Sequence, residues 1–365
     1  MFLKELQLFH YKNHESSRFV FSEKINAITG KNGIGKTNVL DAIYFLANAK
    51  SYFNSIDNQL IQFDKEFFTI AGKFEDENPF ELILNFGKTT KKTIKKNSKL
   101  IKRIIDHIGQ IQTVFITPND ISLIYEGSEE RRKFIDFTIC QLNPLYLSQL
   151  VEYRKVVEQR NSFLKTGEGR YIDDILLESY NHKLIPLNQS IHQTRKNFLA
   201  EFIPHFNKTY QEISSSSEFC DIRYKSSLNE ASMSSIFEQN YRIDIASQRT
   251  TDGIHKDDLE FLIHEIPIKK YGSQGQIKSF VVALKLAQYE YLKSKTSRKP
   301  ILLLDDIFEK IDEQRSNLLM KMVCSDQFGQ IFVSDTHIER VKDHFKDQNM
   351  ECTVIELPLH EHSDH

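Results

Sequence analysis

Gly30-Lys31-Asn32-Gly33-Ile34-Gly35-Lys36-Thr37 has the spacing of a loop that holds phosphate. Glycines at these places let backbone N–H groups turn inward around phosphate oxygens, and a following helix adds partial positive charge from its N-terminus. In such a loop Lys36 reaches the β- and γ-phosphates and the Thr37 hydroxyl ligates Mg²⁺, so ATP and Mg²⁺ are the expected cofactors. A second candidate is Pro300-Ile301-Leu302-Leu303-Leu304-Asp305-Asp306, an apolar run ending in two carboxylates. Such a run suits a strand covered on both faces. At its carboxyl end Asp305 would face the Mg²⁺ shell, and Asp306 could accept a proton from an attacking water. Between the two lies Tyr271-Gly272-Ser273-Gln274-Gly275-Gln276, ahead of a helical run from Ile277 to Leu292. A helix start preceded by Ser and Gly is an anion site by the same physics, though Gly-Ser loops before helices are common.

These side chains need a scaffold. The apolar segment Ile25–Thr29 reads as a strand entering the loop. An amphipathic helix should leave it, with Val39, Leu40, Ala42, Ile43, Phe45 and Leu46 on the buried side. Segments 19–21, 67–74 and 81–86 alternate as strands do. From Glu129 to about Phe206 apolar residues recur at helical spacing, punctuated by Pro144, Gly167-Glu168-Gly169 and Pro186. This predicts an insertion of long antiparallel helices, too irregular for a sustained heptad coil. Ser214–Ser217 reads as a loop, and strand-and-helix character returns near Asp252. The expected fold class is α/β: a β-rich lobe with the phosphate loop over 1–127, a helical arm over 128–245, and the rest of the head over 246–365.

With 48 Lys plus Arg against 50 Asp plus Glu, the formal charge is −2, so any nucleic-acid binding must use a local patch. One such patch is Lys88 to Arg103, with eight basic residues and no acid. It reads as a hairpin turning at Asn97-Ser98. Lys91, Lys92, Lys95 and Lys96 are either DNA-phosphate contacts or the charges that keep an edge strand from pairing with another chain. A second basic track would be the arm, around Arg154, Lys155, Arg160 and Lys165. No run approaches a membrane span, and the N-terminus lacks an apolar signal core. Cys140, Cys220, Cys324 and Cys352 lie far apart, with no C-x-x-C. A reducing cytoplasm is the expected setting. His360, His362 and His365 read as part of a tail rather than a metal site.

The order phosphate loop, S-x-G-Q, Asp-Asp resembles that of ABC-type ATPases, and Glu309-Lys310-Ile311-Asp312 is similar to their D-loop. More closely the chain resembles the RecF family of SMC-like DNA-repair ATPases over nearly its whole length. The resemblance rests on Leu6–His14, on Gly30–Tyr44, on Phe115–Asp120 through Gly127–Asp136, on Gly253–Leu259 and on Leu302–Phe308. It implies an ABC/SMC-like ATPase head, with Ser273, Gly275 and Gln276 of one subunit closing over the γ-phosphate held by the other. It further implies an ATP-dependent homodimer, binding to duplex DNA near single-strand junctions, and cooperation with RecO and RecR in loading RecA. Three departures from ABC transporters stand out. Asp306 replaces the usual Glu, so slow hydrolysis is expected. Asn119 or Asp120 stands where a Gln is usual. No His directly follows the late strand Ile331–Ser334, and His337 is the nearest switch candidate. A transporter subunit and a nuclease are the competing functions; the latter would need an acidic metal cluster, for which only Asp257-Asp258 offers itself.

Overall fold

A computed structural model describes residues 1–166, 173–214, 218–307, 318, 322–323, 326–336 and 352–358. In chain order, β1 (Phe2–Tyr11), β2 (His14–Val20) and β3 (Ile25–Thr29) lead into helix α1 (Lys36–Asn48). Strands β4 (Phe67–Glu75), β5 (Phe80–Gly87), β6 (Thr90–Lys96), β7 (Lys99–Leu100) and β8 (Thr113–Ile116) follow. Next come α2 (Ser122–Tyr125), α3 (Ser128–Cys140), α4 (Pro144–Thr166), α5 (Asp174–Ser214), β9 (Cys220–Lys225) and α6 (Met233–Ser247). The remaining elements are β10 (Asp258–Ile263), β11 (Ile266–Pro267), α7 (Ile268–Tyr271), α8 (Gln274–Thr296), β12 (Ile301–Asp305), β13 (Ile331–Asp335) and β14 (Cys352–Glu356).

The chain divides into two compact units: Met1–Asp120, Glu212–Ser215 and Lys278–His365 form one, Ile121–Gln211 and Ser216–Ile277 the other. Residues 246–277, which the sequence groups with the head, fall in the second unit.

Among the described residues the first unit holds two sheets. One is six-stranded and antiparallel, in the order β2-β1-β4-β5-β6-β7. Its β4 alternates buried and less buried residues along its length, as a strand with one covered face does. The other is five-stranded and parallel, in the order β14-β3-β13-β12-β8. Every residue of β3, β12, β13 and β8 is buried, which explains their unbroken apolar runs. Helix α1 touches strands of both sheets. It therefore buries Asp41, Tyr44, Ala47 and Asn48 as well as the expected apolar stripe. The helix is therefore not amphipathic as its sequence suggests: flanked by two sheets, it has no solvent face along most of its length. Residues Asn97 and Ser98 carry left-handed φ of 48° and 65°, the conformation a two-residue hairpin turn of matching twist requires.

The second unit is built on helices and a three-stranded antiparallel sheet, β11-β10-β9. Helices α4 and α5 run antiparallel: Gln149 meets Ser190, Arg160 meets Asn181, and Leu164 packs with Leu177. Pro144 opens α4, where a missing N–H costs nothing. Pro186, expected to interrupt the arm, lies instead inside the 41-residue α5, as does Pro204. Both prolines are exposed, and so are His182 and Ala200, whose carbonyls lose their partners and can turn to water.

Charge is buried in this unit in ion pairs. Arg195 bonds both oxygens of Asp136 at 3.0 Å and Asp257 at 2.7 Å. Arg160, 1% exposed, meets Asp244 at 2.7 Å and stacks on Phe237. Arg160 is thus a core residue and drops out of the expected basic track; Arg154, Lys155 and Lys165 remain exposed.

His255 is held neutral between the Tyr153 hydroxyl, at 2.6 Å from Nδ1, and the Thr250 carbonyl, at 3.2 Å from Nε2. Burial lowers its pKa from 6.5 to about 4. The unfolded chain therefore binds the extra proton between these values, so stability is full above pH 6.5 and falls as pH drops toward 4. Urea unfolding at pH 7.5 and pH 5 should show a loss of about 1–2 kcal/mol that disappears in His255→Gln. An equal loss in the variant would assign the acid sensitivity to other groups.

Candidate functional site

Because β3, β13, β12 and β8 run parallel, their carboxyl ends lie along one edge of the sheet, where ligands bind in open α/β sheets. The phosphate loop leaves β3 at that edge. Ser334 and Asp335 end β13, Asp305 ends β12, and Thr117 follows β8.

The loop has the backbone its sequence demands. Gly30, Gly33 and Gly35 carry φ of 145°, 81° and 109°. Lys31, Asn32 and Gly33 are exposed, while Ile34 is buried. Lys36 is 4% exposed, and its ammonium donates to the Gly30 and Lys31 carbonyls at 2.8 and 3.3 Å and to Asn32 Oδ1 at 3.4 Å. The cation sits within the loop, where backbone carbonyls occupy it.

The Thr37 hydroxyl lies 2.9 and 3.1 Å from the two oxygens of Asp305. Ser334 donates to Asp305 Oδ1 at 2.7 Å and accepts the backbone N–H of Asp306 at 2.9 Å. Burial pushes the Asp305 carboxyl above its usual range, opposed by the hydrogen bonds from Ser334 and Thr37 and by the Lys36 charge. Asp306 has a left-handed φ of 45°, uncommon for a residue other than glycine and frequent at functional turns. A hydroxyl and a carboxylate this close are the oxygen donors a hard cation such as Mg²⁺ takes.

At the turn after β8 the two candidates part. Asn119 is exposed. Asp120 is 5% exposed: it accepts the Thr117 N–H at 2.7 Å, pairs with Lys285 of α8 at 2.9 Å and bonds the Tyr52 hydroxyl. Asp120 is the anchor that shapes the turn, and Asn119 is the residue the turn presents. In the second unit, Ser273 and Gln276 close a reciprocal cap at the start of α8. The Ser273 N–H donates to Gln276 Oε1 at 2.8 Å, and the Gln276 N–H donates to Ser273 Oγ at 3.2 Å. Gln276 also donates to Glu218 at 2.8 Å, while Ser273 stays exposed and Gly275 lies in the first turn of the helix. Asp312 and His337 lie outside the described residues.

The four lysines of the hairpin divide by strand alternation. Lys92 pairs with Asp57 at 2.6 Å and lies over the Phe45 ring, and Lys96 donates to Gln110 at 3.0 Å over the Phe80 ring. Lys91 and Lys95 are exposed. Asp257 and Asp258 are held by Arg195 and Arg131, the latter at 2.7 and 3.1 Å. Among the described residues no three His, Cys, Asp or Glu gather as a metal site, and no helix is long and apolar enough to cross a membrane.

Sequence reasoning passed over Ser334, Lys285 and Asn13. Ser334 is the register partner of Asp305, a relation visible only once β12 and β13 are known to be neighbours. Lys285 did leave a signal, as a lone charge in the apolar helical run Phe280–Ala287.

The family model for the RecF/RecN/SMC N-terminal domain matches residues 2–355. A relative from Flavobacterium johnsoniae, named DNA replication and repair protein RecF, is 48% identical over 98% of this chain and 100% of its own. A solved structure described as the recombination mediator protein RecF-ATPrS in the RecFOR pathway is similar with TM-score 0.86 and 29% identity, over 97% of this chain and 96% of that one. A second, described as RecF-ATP, has TM-score 0.85 and 30% identity, with 92% of each chain covered.

Replacing the loop's cation tests the site directly. Lys36→Ala should weaken ATP binding by about 100-fold, the loss of charge-assisted hydrogen bonds, with an unchanged circular dichroism spectrum. Calorimetric titration that returned the parent affinity would remove Lys36 from the site.

Proposed function

The chain belongs to the RecF family, and from that premise we propose that it is an ATP-gated DNA-binding protein of replication and recombinational repair. The observation that supports this best is the linked set Thr37–Asp305–Ser334–Asp306 at the mouth of the phosphate loop. In this reading the loop's N–H groups bind the phosphates, and Lys36 exchanges carbonyl partners for β- and γ-phosphate oxygens. Thr37 and Asp305 would hold Mg²⁺, which when bound neutralises phosphate charge. Ser334 fixes the backbone on which Asp306 is mounted, and Asp306 accepts the proton of the attacking water. Its shorter side chain fits slow turnover. Asn119 would present its amide near the loop.

The second half of the proposed cycle lies between two copies. Ser273, Gly275 and Gln276 of one subunit would meet the γ-phosphate bound by the other, so ATP closes a homodimer and hydrolysis reopens it. The closed dimer would clamp duplex DNA near single-strand junctions, and RecR with RecO would take over from there to load RecA. Such a protein works in the cytoplasm. Filter binding of duplex DNA with and without ATP tests this reading: retention should require ATP, and ATP-independent retention would overturn the gating.

Two further outcomes are expected. Asp306→Asn should bind ATP as the parent does yet hydrolyse it at least 100-fold more slowly, since an amide cannot take the proton. Light scattering should then find a persistent ATP-bound dimer; a variant that hydrolyses normally would move the base elsewhere. For DNA, the paired states of Lys92 and Lys96 leave Lys91 and Lys95 as the contacts from the hairpin. Each lost phosphate contact lowers the log–log salt slope of binding by about 0.9. Lys91→Gln with Lys95→Gln should therefore reduce the slope by up to about 1.8 for each copy that contacts DNA, or about 3.6 for the dimer, without changing ATP affinity. An unaltered slope would leave these lysines as edge protection and move the track to Arg154, Lys155 and Lys165.

A further inference from the structure

The phosphate loop is shaped partly from outside its own sequence. Asn13 lies in the tight turn between β1 and β2, and its side-chain amide makes two contacts. Nδ2 donates to the Ile34 carbonyl at 2.7 Å, and Oδ1 accepts from Asn38 Nδ2 at 2.7 Å. One bond holds the loop, the other the first turn of α1. Gly35 lies between them, and a Cβ built there would come within 2.5 Å of Asn13 Nδ2. The amide thus lies flat against bare backbone, and only glycine leaves it room.

Asn13 is itself held. Lys12 before it has a left-handed φ of 50°, donates its N–H to the Leu60 carbonyl at 2.8 Å and places its ammonium 2.8 Å from Asp41 Oδ2. Asp41, fully buried on α1, also accepts the Tyr11 hydroxyl at 2.9 Å. The residues on both sides of this turn's start are therefore bolted to the helix that carries Thr37.

We infer that Asn13 is a positioning residue for nucleotide binding, resting on the reading of Gly30–Thr37 as the ATP site. The peptide between Ile34 and Gly35 is trans, so its carbonyl and its N–H point to opposite sides. Fixing the Ile34 carbonyl on Asn13 turns the Gly35 N–H away from Asn13, and that N–H is one a bound phosphate would use. Without Asn13 the peptide can rotate, and the loop must be ordered at the expense of binding. Asn38 acts one step further back, by orienting the Asn13 amide.

The test compares Asn13→Leu, which keeps volume and loses both hydrogen bonds, with Asn38→Leu, the double variant and the parent. Dissociation constants for ATP and ADP, and KM and kcat for ATP, are measured together with thermal unfolding. Asn13→Leu should raise both dissociation constants and KM by about five- to tenfold, with kcat within about twofold of the parent. Asn38→Leu should raise them by about two- to threefold, and the double variant should match Asn13→Leu alone, because the two act in series. A parent that binds ATP beside an Asn13→Leu variant of equal affinity would overturn the inference while leaving the ATP site intact. A parent that binds no ATP would overturn the reading beneath it. If Asn13→Leu does not fold, Asn38→Leu decides: unchanged nucleotide affinity there overturns the inference, and a two- to threefold loss sustains it.

Discussion

Thr37 and Asp305 are 268 positions apart in sequence and 2.9 Å apart in space, and most of the first unit exists to make that so. The contact requires β3 and β12 to be parallel, one strand apart, and aligned at their carboxyl ends. Strand β13 supplies both the spacing and the alignment. Its Ile331 pairs with Ile25 on one side and with Leu302 on the other, and the same register carries Ser334 to Asp305. A slip of one residue in either ladder would turn every side chain to the other face. It would take Asp305 away from Thr37. Because these strands are apolar on both faces, alternation alone does not fix that register, and the polar contacts of Asp305 with Thr37 and Ser334 at the strand ends favour it.

The two units solve the problem of buried charge in the same way and to different ends. In the second, Arg195 is held by the carboxylates of Asp136 and Asp257 and by the Ile254 carbonyl, and Arg160 by the carboxylate of Asp244. Removing one member would strand the others, so such networks specify one arrangement rather than add much net stability. In the first, Lys285 and Asp120 do this for the turn after β8, and Asp41 does it for the turn after β1. Lys36 is different. Among the described residues its hydrogen-bond partners are carbonyl oxygens and an amide oxygen, with no carboxylate. That leaves it with favourable energy still to gain from an anion. A buried cation hydrogen-bonded only to neutral groups is poised for an anionic ligand, whereas one bonded directly to a carboxylate is already satisfied.

Much of this was legible in the sequence because the signals were local. A glycine spacing, an apolar run with terminal acids and a two-residue Asn-Ser turn each describe their own neighbourhood, and each folds as its neighbourhood dictates. Legibility failed wherever a residue's role is set by what lies across from it. The helix after the loop looked amphipathic because Asp41, Tyr44 and Asn48 are polar; they are buried because sheets on either side supply their partners. Pro186 looked like a stop, yet its solvent-facing position lets water take the carbonyl it frees. Arg160 looked like part of a basic track, and Asp244, far off in sequence, turned it inward. Ser334 had no signal at all, since a serine at a strand end is ordinary until its neighbour is known.

The basic hairpin shows how far alternation can divide a charge cluster. Four lysines in six residues read as one patch, but successive side chains on a strand face opposite ways. Lys92 and Lys96 point to the side of Ile94, which is buried, and each spends its charge on a neighbour: Asp57 in one case, the Gln110 amide and the Phe80 ring in the other. Their alkyl stems cover apolar surface, the usual compromise for a long cation at a sheet margin. Lys91 and Lys95 keep the outward direction. With a chain charge of −2, long-range attraction to a polyanion is absent, so any grip on DNA must come from short-range contacts of this outward kind. Two copies would double the number of such lysines without changing the sign of the whole. Affinity built that way depends on both copies being held together, which ties the electrostatics of the hairpin to the nucleotide that would close the dimer.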